Sequence, residues 1–74
     1  MARLPEVSSR RVLTALQRAG FREARRRVSH RFLVHDGGST LLFAVHDAER
    51  IGPKLLAKIL KDAGITRDTF RRLL

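Results

Sequence analysis

The chain predicts an α+β domain: three antiparallel strands flanked by two amphipathic helices that pack on one sheet face, with a short C-terminal helix. Three observations predict it. Residues 9–19 and 53–63 carry apolar side chains at helical spacing, and each run stops at a glycine, Gly20 and Gly64. Residues 30–35 and 40–45 read as strands on either side of Asp36-Gly37-Gly38-Ser39, a turn-forming tetrapeptide. Strands that run together between helices favour segregated layers, the α-β-β-β-α order.

Residues 1–7 form a lead that Pro5 keeps out of a helix. Ser8 and Ser9 both suit an N-cap, and Val12, Leu13, Leu16 and Ala19 share one stripe behind them. Arg10, Arg11, Gln17 and Arg18 fall off that stripe. Gly20 sits at the C′ position, with Phe21 placed to close the cap. Residues 21–28 read as an edge strand, because arginines and Glu23 on an open edge discourage unwanted pairing. In the third strand, if Leu41, Phe43 and Val45 face the helices, then Leu42, Ala44 and His46 face away. One sheet face is thereby left for a ligand or partner. Residues 47–52 read as a loop, and Pro53 suits the first turn of the second helix. Leu55, Leu56, Ile59, Leu60 and Ala63 are its expected buried stripe, with Lys54, Lys58 and Lys61 on another face. Thr66 caps a last short turn, with Asp68 near its positive end and Phe70, Leu73 and Leu74 as anchors.

Residues 1–74 are expected to form a single domain with a thin core, since a chain of this size buries only roughly 60–65% of its unfolded surface. A partner or weak self-association would add stability. Sixteen basic against seven acidic residues leave a formal charge of +9, which repels the compact state and invites a polyanion. The absence of cysteine excludes disulfides and thiolate metal sites and fits a reducing compartment. No apolar run approaches a membrane span, and the first residues lack the apolar core of a signal peptide. The expectation is a cytoplasmic protein with no membrane partner.

Residues 25–36 concentrate four arginines and two histidines before the Gly37-Gly38 break. Arg25, Arg26, Arg27 and Arg31 surround the predicted hairpin, and each cation at a phosphate releases condensed counterions. Lys54 and Lys58 add a helical row. The plain alternative is a solvated face that maintains solubility. Phe21, Phe43 and Phe70 read as core, so a base-stacking platform is not expected. His30 is the candidate catalyst: an imidazole beside a phosphodiester can take a proton from the ribose 2′-OH or give one to the leaving 5′ oxygen. Flanking arginines would stabilise the charge growing on the phosphate, and Ser29 could orient the ring or the phosphate. The competing reading is a surface histidine with no task. His35 beside the turn is expected exposed and idle, and His46 structural. His46, Asp47 and Glu49 have no metal spacing, and no P-loop, GxGxxG or Ser-His-Asp order is present, so no metal or cofactor is expected.

The ordered set "AGF" at 19–21, "SH" at 29–30, "HDGG" at 35–38, "VH" at 45–46, "GPKLLAKIL" at 52–60 and "DAGIT" at 62–66 resembles the HicA toxin family of toxin–antitoxin pairs. The resemblance runs from about residue 8 to 70. It implies a double-stranded RNA-binding-domain-like fold and a metal-independent endoribonuclease that cuts mRNA as the toxin of a type II system. It also implies neutralisation by a HicB-type antitoxin. The family's essential histidine, after a glycine-serine pair at the start of the second strand, matches His30. Val28 stands where the family usually has glycine, Ala44 where a proline is common, and Leu55 where threonine is frequent. Two other classes compete: a non-catalytic double-stranded RNA-binding module, which would protect RNA, and an adaptor that holds only a protein, which would ignore it.

Overall fold

The computed structural model describes residues 6–27, 30–44 and 49–74. Elements run β1 (Val7–Ser8), α1 (Ser9–Arg18), β2 (Phe21–Arg27), β3 (His30–His35), β4 (Thr40–Phe43), β5 (Arg50–Ile51), α2 (Pro53–Ala63) and α3 (Arg67–Leu73). The central sheet is antiparallel in the order β2-β3-β4, and β1 and β5 form a separate two-residue ladder. The predicted α+β order and three-stranded sheet are both present.

Each helix is delimited by local chemistry. In α1 the Ser8 hydroxyl accepts from the Arg11 amide at 3.3 Å, answering one of the orphan donors of the first turn. The helix ends where Gly20 takes φ 105°, a conformation closed to most L side chains. Pro53 opens α2, and the left-handed Gly64 closes it, with the Ile65 amide reaching back to the Leu60 carbonyl at 2.9 Å. Thr66 caps α3 through the Thr69 amide at 3.1 Å. The expected single turn there is a seven-residue helix that buries Phe70 completely. It docks on α1, where Arg18 Nη1 donates to the Leu73 carbonyl at 2.7 Å.

The core lies between the helices and one sheet face. Leu33, Leu41 and Phe43 of the sheet meet Val12, Leu16, Leu56, Ile59, Leu60 and Phe70, and Phe21 joins them from the start of β2. Thr40, Leu42 and Ala44 are exposed, so the alternation expected of the third strand holds as far as Ala44; Val45 and His46 lie outside the described residues. No helix among the described residues is long and apolar enough to cross a membrane.

Three expectations are corrected. The lead and the loop before Pro53 supply β1 and β5, paired Val7↔Ile51 and Ser8↔Arg50 and held by a 2.7 Å contact between Arg50 and Glu6. Both Val7 and Ile51 are buried, which gives this short ladder an apolar reason to form. Leu55 is 40% exposed, because α2 is seated on Leu56, Ile59 and Leu60. His35, expected idle, bonds through both ring nitrogens. The Gly37 amide donates to Nδ1 at 3.0 Å, so Nε2 carries the proton and donates to the Ala19 carbonyl at 3.0 Å. The ring also meets Phe21 edge-on, with centroids 5.1 Å apart. It ties the β3–β4 turn to the end of α1.

Candidate nucleic-acid interface

The hairpin register decides which basic side chains share a surface. Cross-strand partners lie on the same side of an antiparallel pair, and neighbours along a strand alternate. The pairs Arg22↔Val34, Arg25↔Phe32 and Arg27↔His30 occupy the face turned away from the helices, and Phe32↔Leu42 extends it onto β4. The pairs Glu23↔Leu33 and Arg26↔Arg31 occupy the helix side. A register shift between Glu23 and Arg25 makes this possible, because it lets Arg25 rather than Ala24 face Phe32.

On the outer face His30 is exposed at the first position of β3, opposite Arg27. The Arg25 guanidinium lies 5.6 Å from the centre of the Phe32 ring. Phe32 is 38% exposed and Leu42 52%, so the one phenylalanine outside the core stands in the middle of the basic face. Counting aromatics does not reveal this exposed ring, because a count carries no information on which face each one takes. The signal that finds it is parity: Phe32 shares its side with His30 and lies opposite Leu33, the one fully buried residue of β3.

Arg26 and Arg31 are arranged differently. Arg31 is only 9% exposed and its Nη1 lies 2.8 Å from Glu23 Oε1, while Arg26 Nε reaches the same oxygen at 3.3 Å. Desolvation pushes the Glu23 carboxyl up, but hydrogen bonds and positive charge from Arg31 and Arg26 outweigh it, and the group is held below the ordinary value of 4.5. Lys54 and Lys58 are exposed on α2, in the layer on the other side of the sheet from His30. Ser29 lies outside the described residues, as do Val28, His46 and Asp47. The arrangement thus offers one imidazole and the side chains of Arg22, Arg25 and Arg27 on a common open face. Such a set can hold an anion and exchange a proton with it.

The family described as "HicA toxin of bacterial toxin-antitoxin" matches the chain over residues 9–65, a span from the first turn of α1 to the residue after Gly64. No curated protein matched the chain.

Proposed function

Because the chain belongs to the HicA family of bacterial toxin–antitoxin toxins, we propose that it is a metal-independent endoribonuclease that cuts mRNA and is silenced by a HicB-type antitoxin. The observation that carries this reading is the placement of His30: exposed, at the head of β3, opposite Arg27 and on the same face as Arg25. An imidazole so placed can accept the ribose 2′-OH proton as the 2′ oxygen attacks phosphorus. The bond to the 5′ oxygen then breaks, leaving a 2′,3′-cyclic phosphate and a 5′ oxygen that takes up a proton to become the 5′-OH. A single imidazole cannot deliver both transfers in one concerted step, so water, the RNA or His46 supplies the second. Arg25 and Arg27 hold the non-bridging oxygens and stabilise their growing charge. Arg26 and Arg31, paired to Glu23, act on phosphate through the field they add and through the stiffness they give the hairpin. Lys54 and Lys58 guide the strand as it leaves the face, and Ser29 orients ring or phosphate. An antitoxin that covers this surface would bury His30 and neutralise the arginines together.

The test is His30→Ala in purified, metal-free protein incubated with single-stranded message in EDTA. Cleavage is expected to fall at least about 100-fold, with RNA affinity and circular dichroism nearly unchanged and growth arrest lost in cells. A folded His30→Ala protein that cuts at the wild-type rate removes the catalytic assignment.

A second reading, a non-catalytic double-stranded RNA-binding module, draws on a separate feature. Arg10, Arg11, Thr14 and Arg18 of α1 border a cleft of about 320 Å³ against Leu73 and Leu74, a basic concavity built from elements outside the hairpin. Under that reading the same incubation protects the RNA instead of fragmenting it.

A further inference from the structure

The outer sheet face has an apolar centre that proton transfer and phosphate binding do not use. Phe21, Phe43 and Phe70 are buried, whereas Phe32 stands open beside Leu42 with the Arg25 guanidinium over its ring. A large ring left 38% exposed in the middle strand of a sheet forgoes burial that the fold gives the other three. We infer that Phe32 is a base-stacking platform for single-stranded RNA, and that the base it holds sets which phosphate reaches His30. The inference rests on the ribonuclease reading and adds to it a residue that fixes substrate register.

Strand geometry supplies the first argument. Phe32 and His30 are two residues apart on one strand, so they share a face and stand about 6.6–6.8 Å apart along it. That is a span of the order of one nucleotide step in an extended chain. A base laid on Phe32 therefore leaves a neighbouring phosphate beside His30 and its partner Arg27.

Charge supplies the second. Arg22, Arg25 and Arg27 run along β2 parallel to the apolar centre, the pairing of cationic track and aromatic face that sequence-tolerant single-strand binding requires. Guanidinium planes and nucleobases are interchangeable occupants of an aromatic face. In the free protein Arg25 covers the ring. When a base takes its place, the guanidinium is released towards a phosphate, so the aromatic face keeps a partner in both states.

A duplex does not fit, because its bases present their faces to one another and not to a sheet. An ordinary protein partner fits less well than RNA, since the apolar centre is two side chains wide and is ringed by three arginines and His30.

The chain contains no tryptophan or tyrosine, so Phe32→Trp introduces a single reporter on this face. In full-length protein that also carries His30→Ala, a single-stranded oligoribonucleotide should quench that emission with the midpoint found by anisotropy of the labelled RNA. Duplex RNA and inorganic polyphosphate should not quench it. With His30 intact, Phe32→Leu keeps the apolar bulk but removes the aromatic face. Its kcat/KM on single-stranded RNA should fall about 10- to 100-fold, mainly through KM, with polyphosphate affinity unchanged and Phe32→Tyr near wild type. RNA binding without quenching, wild-type cleavage by Phe32→Leu, or a Phe32→Leu defect confined to antitoxin binding would each overturn the platform while leaving His30-dependent cleavage standing. Cleavage that survives His30→Ala, or RNA that none of the proteins binds, overturns the ribonuclease reading and the platform with it.

Discussion

At the scale of single residues, the clearest division is between the arginines that meet solvent on the outer face and the arginine that helps hold the hairpin. Arg31 is nearly buried beside the more open Glu23, so losing the carboxylate removes one partner of a largely desolvated guanidinium. The depressed Glu23 carboxyl makes this pair visible through pH. Its folded-state value lies below the 4.5 of an unperturbed glutamate, so on acidification the unfolded chain takes up the proton first. The stabilisation is therefore complete above the ordinary glutamate range and is lost as pH falls through the lower folded-state value. Glu23→Gln should lower the urea midpoint at neutral pH, and the gap to wild type should narrow as pH falls below the ordinary glutamate range. A gap that stays constant over that fall would mean the carboxylate charge is not what holds the hairpin. His35 is a second residue whose task is structural: its ring, bonded at both nitrogens, closes the contact between α1 and the β3–β4 turn.

At the scale of elements, Gly20 shows how tightly that contact is set. A Cβ at Gly20 would lie 2.9 Å from His35 Nε2 and would stand on a backbone at φ 105°, whereas one at Gly38, at φ 96°, meets nothing within 4 Å. Backbone strain alone is worth about 1–3 kcal/mol at either position. Gly20→Ala adds a clash and breaks the His35 bond to Ala19, so it should cost about 1–2 kcal/mol more than Gly38→Ala. In a domain of this size the difference corresponds to a further fall in Tm of about 4–15 °C. Equal melting temperatures for the two variants would show that His35 moves aside freely. A milder change, Ser8→Ala, removes the cap of α1 and should cost about 1 kcal/mol in the same melts. The elements that could be read from sequence are those whose signals are local and repeated. The caps, the two stop glycines, the hairpin turn and the helical stripes all lie within a few residues of what they specify. The β1–β5 ladder could not be read, because two-residue strands have no periodicity and Val7 and Ile51 meet only after the chain has folded. Leu55 differs from expectation for a related reason: adjacent leucines both suit an apolar stripe, and only the seating of α2 on the core, with Leu56 buried and Leu55 exposed, decides between them.

At the scale of the whole molecule, a charge of +9 announces a polyanion without saying which cations meet it. The basic hairpin and His30 were legible as a cluster. Its sorting into an outer set and an inner set was not, because the register shift between Glu23 and Arg25 changes which arginines face outwards. Upstream of that shift alternation counts correctly from Phe21; beyond it every assignment reverses, and no propensity marks the position. The sorting can be read by salt. Four or five phosphate contacts along the proposed path give a slope of log affinity against log salt of about −3 for a single strand. Arg27→Ala should flatten that slope by about 0.7, since it removes one counterion-releasing contact. Arg31→Ala should leave the slope close to wild type and lower the melting temperature instead, because its guanidinium is engaged with Glu23. The measurement is anisotropy of a labelled oligoribonucleotide over a salt series, with His30→Ala as the common background. If the two variants exchange behaviours, with Arg31→Ala flattening the slope and Arg27→Ala softening the fold, then RNA meets the helix side of the sheet and the outer face is not where it lies.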